Sequence, residues 1–255
     1  MSDPLPTLFI SHGAPDLVQH PELPAHAFLA GLAATLPRPR AMVVLSAHWE
    51  SADPAVEIGE HPTTIHDFGG FDDALYRMRY PAPGDPVLAA RILDLLRDWA
   101  PTGVRRGFDH GVWSPLAISH PAADIPVVPV SLLRGGSMAD HLRLGAALAP
   151  LRHDGVLVIG SGSATHNLRE LGHGAAPGWV TAFDDWLAAR VEAGDTDALV
   201  RYRALAPDAR RNHPSEEHYA PLLVALGAAG PAARGRVLHR STTYGVLSMA
   251  AFAFG

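Results

Sequence analysis

The sequence predicts a three-layer α/β fold, with a central, largely parallel or mixed sheet flanked by helices. Apolar runs alternate along the chain with helical patterns, which is the layered signature. Several of these runs are continuous, as in Ile125-Pro126-Val127-Val128-Pro129-Val130, and so suit strands covered on both faces. With 255 residues, 47% hydrophobic and 18% charged, the chain can close one core, and a single catalytic domain over 1–255 is expected.

The first strand, 7–11, is the run Leu8-Phe9-Ile10-Ser11, and the second, 41–47, is Met42-Val43-Val44-Leu45-Ser46-Ala47. Further strands are expected at 55–59, 126–132, 155–160 and 235–240. Tyr244 to Phe254 is apolar enough for a closing strand at 245–253, a helix being the alternative. Helical patterns fall at 25–36, 86–99, 138–151, 178–193, 196–204 and 219–229. Pro221 is tolerated only in a helix's first turn, so His218 should lie just before the last helix, where it can point into a cleft. The 23 prolines and 24 glycines concentrate in long connections at 60–72, 80–86, 100–115 and 172–178. Connections of that length inside a compact domain are usually functional or disordered.

Composition removes whole classes of chemistry. The net charge is −6 and no basic stripe is present, which argues against nucleic-acid binding. All 20 basic residues are arginine, so Schiff-base catalysis, pyridoxal-phosphate anchoring and a Walker lysine are excluded. The absence of cysteine excludes disulfides, thiolate nucleophiles and iron–sulfur clusters, leaving nitrogen and oxygen ligands for zinc, ferrous iron, manganese or copper. No apolar run reaches the ~18 residues of a membrane span, and Met1-Ser2-Asp3-Pro4 does not open a signal peptide. A cytoplasmic protein is expected.

Three histidines end strand-like runs: His12, His48 and His166. A fourth, His218, sits in His213-Pro214-Ser215-Glu216-Glu217-His218. Ligands in open α/β sheets collect beyond the carboxyl ends of strands, and imidazole is the commonest metal-binding side chain. A metal site is therefore expected, against the alternative that each histidine merely satisfies the core. Gly160-Ser161-Gly162-Ser163 fits neither a nucleophile elbow nor a phosphate loop, and reads as a tight turn passing close to a bound group. His66-Asp67 and Asp109-His110 read first as turn chemistry. Glu216 and Glu217 suit either an acidic helix start or the carboxylate of a facial triad. Among the remaining histidines, His213 is the best placed to line a pocket.

Taken together, His12-Gly13-Ala14-Pro15, Ser46-Ala47-His48-Trp49-Glu50, His66-Asp67-Phe68-Gly69-Gly70-Phe71, Tyr80-Pro81-Ala82-Pro83-Gly84, Phe108-Asp109-His110-Gly111-Val112-Trp113, His166-Asn167-Leu168, Glu217-His218-Tyr219-Ala220-Pro221-Leu222 and Tyr244-Gly245-Val246-Leu247-Ser248-Met249 span the chain in order. In this the sequence resembles the LigB-type class III extradiol ring-cleavage dioxygenases, in their 4,5-DOPA-extradiol-dioxygenase-like branch. The resemblance implies His12, His48 and His218 as metal ligands and His166 as the acid–base group or a fourth ligand to zinc. It implies His110 as a contact for substrate or dioxygen, and puts Glu217 outside the ligand set. His66, Asp67 and His213 are further candidates for substrate contact. Ala14 departs from the family's usual serine. The implied substrates are a small aromatic diol such as DOPA and O2. Fe(II) is implied for activity, with Zn(II) able to occupy the same site. A zinc hydrolase and a non-catalytic metal-binding interaction protein are the competing readings.

Overall fold

The computed structural model describes residues 4–255. Its strands are β1 (Thr7–Ser11), β2 (Ala41–Ser51), β3 (Ala55–Glu57), β4 (Thr102–Val104), β5 (Val127–Leu133), β6 (Val156–Gly162), β7 (Gly235–His239), β8 (Thr242–Thr243), β9 (Leu247–Ser248) and β10 (Ala251–Phe254). The helices are α1 (Pro24–Leu32), α2 (Asp73–Arg77), α3 (Pro86–Leu95), α4 (His110–Ser119), α5 (Met138–Leu148), α6 (Gly178–Ala193), α7 (Thr196–Val200), α8 (Tyr202–Leu205), α9 (Ala209–Asn212) and α10 (Ala220–Ala229). Among the described residues no helix is long and apolar enough to cross a membrane.

Eight strands form one mixed sheet in the order β4-β3-β5-β2-β6-β1-β10-β7. Its centre, β5-β2-β6-β1, is parallel. β10 runs antiparallel to β1, and β3 antiparallel to β5. Successive strand side chains point to opposite faces, and both faces here are apolar. Phe9, Val43, Leu45 and Val158 join one core with α3, α5 and α10. Leu8, Ile10, Met42, Val44, Leu157 and Ile159 join a second with α1 and α4. Two-sided burial is why these strands read as unbroken apolar runs.

Three expectations change. The expected loop 100–115 holds β4 and the start of α4. Gly111 and Pro115 look like breakers, but the helix is buried nearly all round, through Val112, Trp113 and Leu116, and packing overrides local preference. The closing strand is confined to Ala251–Phe254, because Leu247–Ser248 pairs with Thr242–Thr243 instead. The 196–204 helix is broken at Arg201 into α7 and α8. Helix 178–193 has the expected bounds, and ends where Gly194 turns left-handed.

Candidate metal centre and cavity

Because β1, β2 and β6 are parallel neighbours, their carboxyl ends share one edge of the sheet. His12 is the first residue beyond β1, and β6 runs out toward His166. His48 lies inside β2, which continues to Ser51 past a register shift against β5 between Leu45 and Glu50. His218 arrives from the other direction, two residues before α10. Gly160 and Gly162 do not form the expected turn; both lie within β6. A Cβ on Gly160 would sit 2.0 Å from the Pro221 carbonyl oxygen, and one on Gly162 would sit 2.2 Å from that of His218. The backbone does pass close to something, and that is the start of α10 rather than a ligand. These glycines let His218 reach the sheet edge.

Ligand nitrogens of His12, His48 and His218 lie within 4.8 Å of one another. The proton can be traced on two of the rings. The Ser161 hydroxyl donates to the Gly111 carbonyl at 2.5 Å, so its oxygen accepts from His12 Nδ1 at 3.0 Å. Glu217 accepts from His218 Nδ1 at 3.0 Å, and His218 Nε2 is buried with no partner. His48 turns Nδ1 toward Asp67, 3.5 Å away. His12 and His218 thus carry their protons on Nδ1 and present Nε2 lone pairs. The Nε2 atoms of His12 and His48 are 3.1 Å apart. The two ring nitrogens therefore face a common point, where a cation would be bound by both. The donor set therefore fits a divalent metal with nitrogen preference, and Ser161 and Glu217 supply the outer hydrogen bonds that orient such ligands, with the Asp67 carboxylate facing His48.

The free carbonyl of Gly111 has a covalent origin. In an α-helix it would accept from the N–H four residues on, but that residue is Pro115, which has none. The orphan acceptor goes to Ser161, and through Ser161 to His12. A second network fixes His48. Asp109 accepts from the Ser46 hydroxyl at 2.6 Å and from Arg106 Nη1 at 2.7 Å, while Arg106 Nη2 donates to the His48 carbonyl at 2.9 Å.

Burial, reinforced by the neighbouring rings, pushes His12 and His218 well below the usual imidazole range. Burial and His110 lower His48 to about 3. His166 is lowered to about 4, again chiefly by burial, with Glu217 opposing. These rings are neutral at pH 7 and their lone pairs are available. Burial raises the Asp67 carboxyl, but its contacts with His110 outweigh that and bring it down to about 2.

His166 lies flat on His218, ring centroids 3.4 Å apart and planes within 10°. It groups with Glu217 and His218, outside the three-histidine set. His110 opens α4, its ring 3.9 Å from that of His48 and its Nδ1 3.1 Å from Asp67 Oδ2. Asp67 also accepts from the His110 backbone N–H at 2.9 Å. His12, His48, Asp67, His110, His166 and His218 open onto a cavity of about 480 Å³, walled by Pro15, Phe68, Phe71, Leu168, Leu171 and Tyr244 among others.

Two expected contacts lie elsewhere. His213 is fully buried behind the site, Nε2 donating to the Ala164 carbonyl and its ring against Phe183, Tyr202 and Tyr219. His66 stands behind Phe68, bonded to the Met78 carbonyl and outside the cavity lining. Sequence reasoning missed Ser161, Arg106 and the apolar wall. For the wall a signal existed, in Leu168 and Leu171 standing close after His166 in a polar connection.

Residues 7–255 match the family described as the catalytic LigB subunit of aromatic ring-opening dioxygenase. A protein of Beta vulgaris named 4,5-DOPA dioxygenase extradiol is 41% identical over 97% of this chain and 96% of its own. The Escherichia coli (strain K12) protein of that name is 40% identical over 88% and 85%. A crystal structure of an uncharacterized Escherichia coli K12 protein superposes with a TM-score of 0.82, at 33% identity, over 98% of this chain and 100% of its own. A mixed α/β sheet with histidines gathered at its parallel carboxyl edge, matched by a family model over nearly all its length, makes this chain a member of the LigB family of aromatic ring-opening dioxygenases.

Proposed function

We propose that the chain acts as one catalytic unit over residues 1–255, opening a DOPA-like catechol with O2 beside its hydroxyl groups. The observation that carries this reading is the convergence of three neutral histidine rings, with ligand nitrogens within 4.8 Å of one another, on an apolar cavity large enough for a substituted aromatic ring. His12, His48 and His218 hold the metal. Fe(II) is the metal of the active protein, and its redox activity is the chemistry it supplies between the diol and O2. Zn(II) fits the same nitrogen donors but is redox-silent, so zinc-loaded protein is inactive.

The chain's own groups then divide the remaining tasks. His166, neutral because burial lowers it to about 4, accepts a proton from a diol hydroxyl. Glu217 favours the protonated ring that results. His110, anchored through Asp67, contacts substrate or dioxygen from the opposite wall. Asp67 lines the cavity and is a substrate contact as well as a positioning group. The apolar wall excludes water from the ring being opened.

Anaerobic loading with Fe(II), addition of DOPA or simple catechols and admission of air should give a yellow ring-opened product. Normal metal loading without product from any catechol would overturn the reading. His166→Ala should keep its metal and lose at least about 10²-fold in turnover; loss of metal instead would make His166 a ligand.

A further inference from the structure

We propose that His213 is a positioning residue for the proton transfer at His166, acting through the Ala164 carbonyl. This rests on the reading of His166 as the group that takes the diol proton. Ser161 and Glu217 hold the rings of His12 and His218, whereas among the described residues no hydrogen bond holds the ring of His166. It lies flat on His218, with 3.4 Å between ring centroids. Stacking sets the plane of the ring; where the ring sits in that plane follows from its backbone. Residues 163–167 belong to no helix or strand, so that backbone needs other partners.

A ladder to the segment 211–218 supplies them. Asn167 Nδ2 donates to the Arg211 carbonyl at 2.7 Å, and the His166 N–H to the Asn212 carbonyl at 2.8 Å. His213 Nε2 donates to the Ala164 carbonyl at 2.9 Å, and the Ser163 N–H to the His218 carbonyl at 3.0 Å. The far side of the ladder is itself anchored. Asn212 Nδ2 donates to the Trp179 carbonyl at 3.2 Å, and Arg203 donates to the His213 carbonyl. Ala164 and His213 are both fully buried, so no water replaces the bond between them. Packing alone does not explain an imidazole at 213. The ring lies among Phe183, Tyr202 and Tyr219, and its Nδ1 has no partner. A leucine there would gain by burial without leaving a polar atom unpaired. The polar ring serves the one bond that it makes, and that bond fixes the residue two before His166.

His213→Gln keeps an N–H donor where Nε2 stands, and His213→Leu removes it. With Fe(II)-loaded protein, DOPA and O2, His213→Leu should lower kcat at least about tenfold. KM and metal affinity should stay within about twofold of the parent, and His213→Gln should recover most of the loss. An unchanged kcat in His213→Leu, or metal affinity falling along with kcat, would overturn the proposal. Asn167→Ala cuts the other side-chain rung and stands in should His213→Leu not fold; it too should lose turnover, and intact turnover would overturn the proposal. Added to His166→Ala, His213→Leu should cost no further kcat, because no proton acceptor remains to be aimed. A second full loss would show a general structural role instead. The placement of His166 is also read without turnover, from its ring resonances in Zn(II)-loaded protein, identified by their disappearance in His166→Ala. They should shift in His213→Leu and return in His213→Gln while those of His12 stay; unmoved resonances would overturn the proposal even where kcat falls. If the parent opens no catechol, the ring-opening reading fails, and the resonances alone decide whether His213 aims His166.

Discussion

His12 carries its proton on Nδ1 because the Ser161 hydroxyl proton is already committed to Gly111. Ser161→Ala removes that acceptor, and the ring then has no fixed tautomer. Metal affinity should fall about 10–100-fold with the fold intact, as read by competitive metal titration; an unchanged affinity would show that the hydroxyl does not orient the ring. His213 offers a separate experiment away from the ligands. It is lowered to about 3 from 6.5, chiefly by burial, against the pull of the Ala164 carbonyl. Between those values the unfolded chain binds the extra proton, so stability rises with pH and falls on acidification. By pH 5 this amounts to about 2 kcal/mol. Urea unfolding at pH 7 and pH 5 should show that much less pH dependence in His213→Gln than in the parent.

At the scale of elements, continuous apolar runs placed β1, β5 and β6 well, because each is buried on both faces by its own side chains. Helix α6 was equally legible, ended by Gly194. What could not be read was set by neighbours in space. Local rules make Gly111 and Pro115 breakers, and only the packing of Val112 and Trp113 makes α4 a helix. Gly160 and Gly162 looked like a turn because nothing in the local sequence reveals α10 crossing over β6. The histidine ligands were legible as residue types at strand ends, whereas Ser161 and Arg106 act through hydrogen bonds to groups 50 and 58 positions away. The crossing itself is testable. In Gly162→Ala the new methyl meets the His218 carbonyl, so α10 must shift. Such overpacking costs about 1–3 kcal/mol, and both the unfolding midpoint and metal affinity should fall. A variant that kept its affinity would mean His218 does not depend on that approach.

Across the whole molecule, the donors come from the end of β1, from β2 and from the segment entering α10, so a bound metal ties together elements that separate on unfolding. Ligands that bind only the folded state stabilise it by mass action, by about 2.7 kcal/mol at a hundredfold excess over Kd. For a chain of this size that should move the melting temperature by roughly 5–10 °C. Scanning calorimetry with Zn(II), where no turnover intervenes, and again after chelation measures it. A midpoint indifferent to metal would mean that the three histidines do not share one ion. Both apolar cores surround the sheet without using these side chains, so the chelated protein should stay folded at room temperature.

Pro115 sets a trade between durability and purpose. Pro115→Ala would return a donor to the Gly111 carbonyl and complete the ladder of α4, a change that in a helix interior favours the fold by up to about 3 kcal/mol. The same repair would compete with Ser161 for that carbonyl and unsettle His12. The variant is expected to melt higher and hold metal less well. A chain selected for endurance alone would discard this proline, and its presence marks where folding strength has yielded to a correctly aimed imidazole.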